Sequence, residues 1–166
     1  QRGEQAWRDG HLPGAHYLNL DYHLSGSKTG SNGRHPLPDR QRLAVDLGAR
    51  GISADTQVIT HDDSGNQFAA RAWWLLRWLG HENVAVLDGG LPAWLAAGGA
   101  LDTGDAPRHT CRFPMRAARM DTVSMTDVLD NLSARQYTIV DARSPERFAG
   151  QGETLDSVAG HIPGAI

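Results

Sequence analysis

The chain has 166 residues, of which 40% are hydrophobic and 21% charged, and its net charge is −3. These values are typical of a soluble globular protein, and without a basic stripe they exclude the usual nucleic-acid-binding protein. No apolar run approaches the roughly 20 residues of a membrane span, and no signal peptide is visible. A single cysteine, Cys111, excludes an internal disulfide framework and fits a cytoplasmic location best, with a periplasmic one left open.

Turn-forming residues divide the first part of the chain into short helices and strands. Glycine and proline crowd the stretch 23–38, which predicts a loop, and Asp39 directly after it is a suitable N-cap for a helix. The predicted elements of this part are the tail of a helix over 1–9, a strand over 15–20, a helix over 40–50 and a strand over 56–60.

The clearest element is a helix from Phe68 to Leu79, where apolar residues recur at helical spacing until Gly80. A buried strand over 84–87 and a short helix over 91–99 follow it. The later predicted elements are a helix over 125–132 capped by Ser124 or Thr126, a strand over 138–141 and a helix starting at Ser144. Strands alternating with helices of about ten residues predict an α/β fold with a parallel sheet.

The composition changes between the two groups of elements. In 99–123, glycine, aspartate, proline and arginine dominate and the apolar periodicity is lost, which is typical of an interdomain linker. We therefore expect a first domain over 1–98, a linker over 99–123 and the start of a second domain over 124–166.

A short motif occurs twice in the chain. The sequence GHLPGA at 10–15 returns as GHIPGA at 160–165, with five of its six positions identical and an offset about the size of one domain. The repeat therefore indicates a duplicated domain rather than a short solenoid.

The two hexapeptides, with VAVLDGGLPAW at 84–94 and IVDARSPERF at 139–148, resemble recurring signatures of the rhodanese family. That family comprises sulfurtransferases that pass a sulfane sulfur through a cysteine persulfide, and the resemblance extends over nearly the whole chain. It is similar to the tandem form, found in thiosulfate and 3-mercaptopyruvate sulfurtransferases, in which an inactive domain precedes an active one. The resemblance implies a rhodanese-like open parallel sheet flanked by helices.

The same resemblance implies a function. We expect sulfur transfer from thiosulfate or a related small-molecule donor to cyanide or a thiol acceptor, without a cofactor, a metal, a nucleic acid or a membrane as partner. The alternatives are a non-catalytic rhodanese-like binding or regulatory module, and a phosphatase of the same fold, whose cysteine loop is one residue longer.

In an active rhodanese domain, the nucleophile lies in a loop between a strand and a helix, where backbone N–H groups stabilise a thiolate or persulfide anion. Asp62 occupies the matching position, and an aspartate cannot carry sulfane sulfur. The first domain is therefore predicted to be non-catalytic, with Asp62 near the interface with the second domain. The alternative is a solvated loop carboxylate or one that caps the following helix. Arg34 and His35 are predicted on a loop that borders the same cleft, with solvated loop residues as the default.

The sole cysteine is not predicted to be the nucleophile. The segment from Cys111 to Arg116 has the length and the arginines of a rhodanese active loop, but no apolar strand precedes it and no strong helix follows. Pro114 stands where the loop needs glycine and removes an N–H. The family's catalytic loop lies well after the second hexapeptide, so the resemblance implies that this chain ends before it and is itself inactive.

Arg147 matches the arginine that binds the substrate anion in this family, and a guanidinium suits thiosulfate oxygens or a carboxylate. The alternative is a surface arginine paired with Glu146 or Glu153. Mercaptopyruvate-specific members tend to carry a second arginine nine residues later, where this chain has Asp156, which favours thiosulfate.

Further residues have structural interpretations. Asp141 and Arg143 are expected to hold the end of their strand together. His11 and His161 are expected to be loop histidines bonded to the backbone rather than catalytic or metal-binding groups. The first domain lacks a strand before its hexapeptide, and 138–166 could fill this position, within one chain or by exchange in a strand-swapped homo-oligomer.

Overall fold

The computed structural model describes residues 2–107 and 109–166, and the predictions that fall on Gln1 and Arg108 lie outside the described residues. The chain divides into two compact units. Unit 1 ends at Asp121, and unit 2 comprises Thr122–Ile166. Each unit is described by itself below.

Unit 1 contains four helices and a parallel pair of strands among its described residues. Its elements are α1 (Arg2–Asp9), α2 (Arg40–Gly48), β1 (Val58–Thr60), α3 (Gln67–Trp78), β2 (Val84–Val86) and α4 (Gly90–Ala96). Strand β1 pairs with β2 in parallel, with Val58 opposite Val84, and α3 forms the crossover between them. This βαβ arrangement confirms the predicted α/β fold with a parallel sheet.

Unit 2 contains two helices among its described residues, α5 (Met125–Ala134) and α6 (Pro145–Phe148). The side chain of Ser124 accepts a hydrogen bond from the N–H of Asp127, and the Asp127 carboxylate accepts from the N–H of Ser124, which forms a capping box. Of the two caps that the sequence left open for α5, the structure therefore uses Ser124.

The predicted strand over 15–20 is wrong. Its carbonyl groups bond to side chains instead of a neighbouring strand, because the indole of Trp7 donates to the oxygen of Ala15 at 3.0 Å and Arg50 donates to the oxygen of Tyr17 at 3.5 Å. Leu18 and Leu20 still pack against the core, so the segment is anchored without being a strand.

The predicted strand over 138–141 is extended chain that bonds to a single residue. The N–H of Asp141 donates to the oxygen of Ile166 at 2.9 Å, and the N–H of Ile166 donates to the oxygen of Ile139 at 3.0 Å. In the described residues the sheet of unit 1 holds β1 and β2 alone, so 138–141 does not extend it within this chain. A strand exchange between two chains stays a prediction.

The core of unit 1 lies where α2 and α3 pack together beside the sheet. The capping carboxylate of Asp39 accepts from the N–H of Arg42, as predicted, and starts α2 with its apolar face turned inward. Five leucines of these helices and the turn that follows α3 are the largest fully buried apolar residues: Leu43, Leu47, Leu75, Leu76 and Leu79.

The segment predicted as a linker packs along unit 1. His11 and Asp102 exchange two backbone hydrogen bonds of 2.9 and 2.8 Å, and Cys111 donates to the oxygen of Gly48 at 2.9 Å. Phe113 is only 5% exposed and joins the leucine core, with its ring 5.6 Å from that of His81. The division into two rhodanese domains joined by 99–123 stays a prediction, but the described residues of this segment up to Asp121 belong to unit 1.

We expect Phe113→Ala to lower the free energy of unfolding of unit 1 by about 3–5 kcal/mol, because it removes a buried ring and leaves a cavity. All five tryptophans lie in unit 1, so urea unfolding followed by tryptophan fluorescence measures this unit alone. Met115→Ala, two residues away on an exposed side chain, is the matched control with an expected loss below about 1 kcal/mol. Equal losses for the two variants would show that Phe113 is not part of the core.

Candidate functional site

The loop between β1 and α3 folds around a carboxylate. Oδ1 of Asp62 accepts the N–H groups of Ser64 and Asn66, each at 2.8 Å. Oδ2 accepts the N–H groups of Phe68 at 2.8 Å and Ala69 at 2.9 Å, in the first turn of α3. The four donors form a cradle for one anion at a helix N-terminus, where the helix dipole adds positive potential.

The charge of Asp62 is stabilised by these donors. Partial burial raises the pKa of Asp62, but the hydrogen bonds from the N–H groups of Ala69, Ser64, Asn66 and Phe68 outweigh it, and the pKa falls below its ordinary value. The side chain is therefore an ionised cap of α3, which is one of the alternatives derived from the sequence. Its position at an interface with a second domain stays a prediction.

The loop that follows β2 holds the cradle in place. The oxygen of Asp62 accepts the N–H of Leu91 at 3.0 Å, and Asn66, in a left-handed conformation with φ of 67°, donates its side-chain amide to the oxygen of Leu87. A Cβ on Gly90 would lie 2.4 Å from the oxygen of Asp62, and Gly90 has a φ of +57°. Glycine is required here for both reasons.

Each copy of the hexapeptide carries one histidine, His11 in unit 1 and His161 in unit 2. His11 is 2% exposed, donates from Nδ1 to the oxygen of Trp7 at 2.7 Å and stacks on the indole at 4.5 Å between ring centroids. His161 of unit 2 donates from Nδ1 to the oxygen of Phe148 at 2.8 Å and stacks on its ring. The prediction of backbone-bonded loop histidines is confirmed at both copies of the hexapeptide. Burial lowers the pKa of His61, beside Asp62.

In unit 2, two acids hold the arginine predicted to bind substrate. Nε of Arg147 donates to Glu153 at 2.9 Å, and Nη2 donates to Asp156 at 2.8 Å. The Glu153 side chain is 4% exposed, and the N–H groups of Asp156 and Leu155, together with Arg147, lower its pKa to about 2. The pairing with Glu153 was one of the predicted alternatives, and the pairing with Asp156 was not foreseen. The binding of a substrate anion by Arg147 stays a prediction.

The second arginine of unit 2 has the predicted structural role. Arg143 donates to both carboxylate oxygens of Asp141, at 2.6 Å for the shortest bond, and to the oxygen of Gly160 at 2.6 Å. The Arg143 side chain and N–H lower the pKa of Asp141 to about 2. The pair fixes the end of the 138–141 segment to the start of the second hexapeptide.

The loop that carries Arg34 and His35 is fastened to α3 by an arginine that the sequence did not single out. Arg71 donates to the oxygens of Leu24, His35 and Pro36 at 3.0, 2.9 and 3.1 Å. A cation placed next to the buried face of α3 is the signal that could have identified it. Arg34 and His35 are exposed on this loop, and their place beside an active cleft stays a prediction.

The structure does not place Cys111 in a loop between a strand and a helix, where a rhodanese nucleophile is expected. The N–H of Cys111 donates to the backbone oxygen of Gly48, and the next helix, α5, begins only at Met125. Within 2–107 and 109–166, no group of three histidine, cysteine or acidic residues is placed to hold a metal ion. None of the described helices is long and apolar enough to span a membrane.

Comparisons with known proteins agree with the geometry of unit 1. A family model described as a rhodanese-like domain matches residues 1–97. A probable 3-mercaptopyruvate sulfurtransferase of Pseudomonas aeruginosa is 43% identical over 165 residues, which are 98% of this chain and 58% of that protein. A putative thiosulfate sulfurtransferase, SseB, of Mycobacterium tuberculosis is 42% identical over 99% of this chain and 58% of its own length.

A solved structure shows the same fold. The 3-mercaptopyruvate sulfotransferase SseA from Escherichia coli superimposes with a TM-score of 0.82 at 33% identity, over 98% of this chain and 60% of that one. The chain therefore spans about three fifths of the length of these relatives.

We expect Asp62→Ala to destabilise unit 1 by about 1–3 kcal/mol at neutral pH, because four N–H groups lose a charged acceptor. The folded pKa lies below the ordinary value of 3.8, so this contribution is complete above pH 3.8 and is lost as the pH falls through the folded pKa. Urea unfolding at neutral and acidic pH measures the difference, which should shrink on acidification.

Asp63→Ala is the matched control for this variant. The Asp63 carboxylate is exposed and accepts one hydrogen bond, from the Ser64 hydroxyl at 2.8 Å, so a loss within about 0.5 kcal/mol is expected. If Asp62→Ala behaves like the control at every pH, the cradle does not stabilise the fold.

Proposed function

Since the chain belongs to the rhodanese family, whose model covers more than half of it, we propose that it forms part of a sulfurtransferase that uses thiosulfate or a related donor. The sulfane sulfur passes to a cysteine thiolate, and sulfite leaves with the electrons of the broken S–S bond. The cysteine persulfide then gives its outer sulfur to cyanide or to a thiol acceptor, and the thiolate is restored. No cofactor takes part, and the reaction takes place in the cytoplasm.

The observation that carries this proposal is the occupied cradle at Asp62. Four N–H groups converge on one negatively charged side chain at the end of a strand and the start of a helix, which is an arrangement suited to a thiolate or persulfide. Because a carboxylate fills it, unit 1 supports the fold rather than the chemistry. Sulfur transfer is therefore assigned to a cysteine in the second domain of the whole protein.

Arg147 is the residue of this chain assigned to the donor. Glu153 is buried and ionised, so it orients the guanidinium from one side, while Asp156 is 43% exposed on the other. A donor anion would take the place of Asp156 beside Nη2. The relatives carry both thiosulfate and mercaptopyruvate in their names, and the acid at position 156 supports thiosulfate for this chain.

A second candidate is a non-catalytic rhodanese-like module. The occupation of the cradle by Asp62, with Cys111 outside any strand–loop–helix unit, favours it for this chain taken alone. The two candidates differ in whether a longer protein carries a persulfide-forming cysteine after the second hexapeptide.

We expect the 166-residue chain to form no thiocyanate from thiosulfate and cyanide above the uncatalysed background, because neither Asp62 nor Cys111 can act as the sulfur carrier. Colorimetric detection of thiocyanate is the measurement, and Cys111→Ser should leave the result unchanged. Robust turnover that disappears in Cys111→Ser would contradict the assignment.

In a protein that continues this chain through a persulfide-bearing second domain, we expect Arg147→Gln to raise the KM for thiosulfate by about tenfold or more, because a charge-assisted bond to the donor is lost. Steady-state kinetics measure the effect, and Arg135→Gln on the exposed end of α5 is the control. An unchanged KM would remove Arg147 from the donor site while leaving sulfur transfer itself intact.

A further inference from the structure

A groove runs along the outer face of α2, between this helix and the segment 110–115. It has a volume of about 490 Å³. We call it the α2 groove, and its lining includes Gln41, Val45, Cys111, Arg112, Phe113 and Met115. None of them belongs to the Asp62 cradle or to the acid–arginine cluster of unit 2.

Both walls of the α2 groove are fixed by the fold. The N–H of Cys111 donates to the last-turn oxygen of Gly48, and a Cβ on Gly48 would lie 2.4 Å from the oxygen of Cys111. Phe113 is anchored in the core, and the N–H of Arg116 donates to the oxygen of Leu79 at 2.9 Å. The groove is therefore a formed surface rather than a gap beside a loose loop.

The apolar part of the groove is open to solvent. Val45 is 61% exposed and Met115 is 42% exposed, on opposite walls. The remaining face of α2 is buried against the core, so these side chains form a separate apolar strip that the fold of unit 1 leaves uncovered.

The rim of the groove is positive. Arg112 lines it. Arg40, next in sequence to the lining residue Gln41, stacks its guanidinium over Trp78 at 5.0 Å and donates to the oxygen of Arg116, next to Met115, at 3.3 Å. Within the described residues, no carboxylate lies within 4 Å of the guanidinium groups of Arg40 and Arg112. The contrast is Arg119, whose charge is paired with Glu82 at 2.7 Å.

Among the residues that the structure describes, the lining of the groove contains no acidic residue. Asp39 uses its carboxylate to cap α2, and Asp46 lies near the other end of the helix, outside the groove lining. The chain as a whole has a net charge of −3, whereas the one charged residue in the described groove lining is Arg112.

We propose that the α2 groove binds a polypeptide segment in which an apolar side chain is flanked by aspartate or glutamate residues. The apolar side chain covers Val45 and Met115, and the flanking carboxylates meet the rim arginines. Arginine beside an apolar pocket is a common composition of peptide-binding hot spots. A free phosphate or a nucleic acid would match the arginines but leave the apolar strip exposed, so the groove favours an acidic peptide.

Cys111 supplies a local reporter for this proposal, because it is the sole cysteine of the chain and lines the groove. The probe is a peptide with one tryptophan between two pairs of glutamates, and the controls replace the glutamates by lysines or the tryptophan by alanine. A saturating concentration of the probe should slow the reaction of Cys111 with a maleimide by about fivefold or more, and neither control should do so.

Two variants test the walls separately by fluorescence anisotropy of a labelled probe. Val45→Glu and Arg112→Glu should each weaken probe binding by about tenfold or more, and Arg112→Glu should regain binding with the lysine peptide. Arg135→Glu, the same charge change at the exposed end of α5, is the matched control and should leave the Kd unchanged. Circular dichroism checks that the exposed substitutions leave the fold intact.

Several results would overturn the proposal. Absence of probe binding, equal binding of the lysine peptide, or equal effects of Arg112→Glu and Arg135→Glu would each do so. Analytical ultracentrifugation adds a further test, since self-association abolished by Val45→Glu would assign the groove to a second copy of this chain. None of these outcomes bears on sulfur transfer, which is tested independently.

Discussion

One carboxylate organises the end of the sheet in unit 1. Asp62 accepts four backbone N–H groups from the loop and the first turn of α3, and its own backbone oxygen accepts from Leu91 in the first turn of α4. An unfilled cradle would leave these donors to solvent next to the positive end of a helix dipole. The cradle fixes the start of α3 at the end of β1, and α3 carries Leu75 and Leu76 of the leucine core.

The elements that the sequence predicted correctly are those with local signals. The helix α3 follows from apolar spacing within itself and from Gly80, and the start of α2 follows from Asp39. The strand over 15–20 failed because its carbonyls bond to the side chains of Trp7 and Arg50, and no local pattern shows these contacts.

The sequence predicted where the candidate site lies in the chain, but not which hydrogen bonds and ion pairs its residues form. The predicted strand and helix placed Asp62 in the loop between them, as observed between β1 and α3. The four hydrogen bonds that Asp62 accepts depend on the turn that Asn66 completes in its left-handed conformation. Arg147 was assigned one acidic partner out of two, because Asp156 lies nine residues away across an irregular loop. The packed part of 99–123 was missed because its buried residues, Ala106 and Phe113, stand apart in the sequence and form no periodic pattern.

The anchoring of Phe113 has a thermodynamic consequence for the α2 groove. One groove wall is formed by residues on either side of a side chain that belongs to the core, so the groove exists only while the core is folded. Any molecule that occupies the groove must therefore bind the folded state in preference to the unfolded one. By linkage, its free concentration would set part of the thermal stability of unit 1, with a rise in the melting temperature that follows the logarithm of that concentration once the groove is saturated.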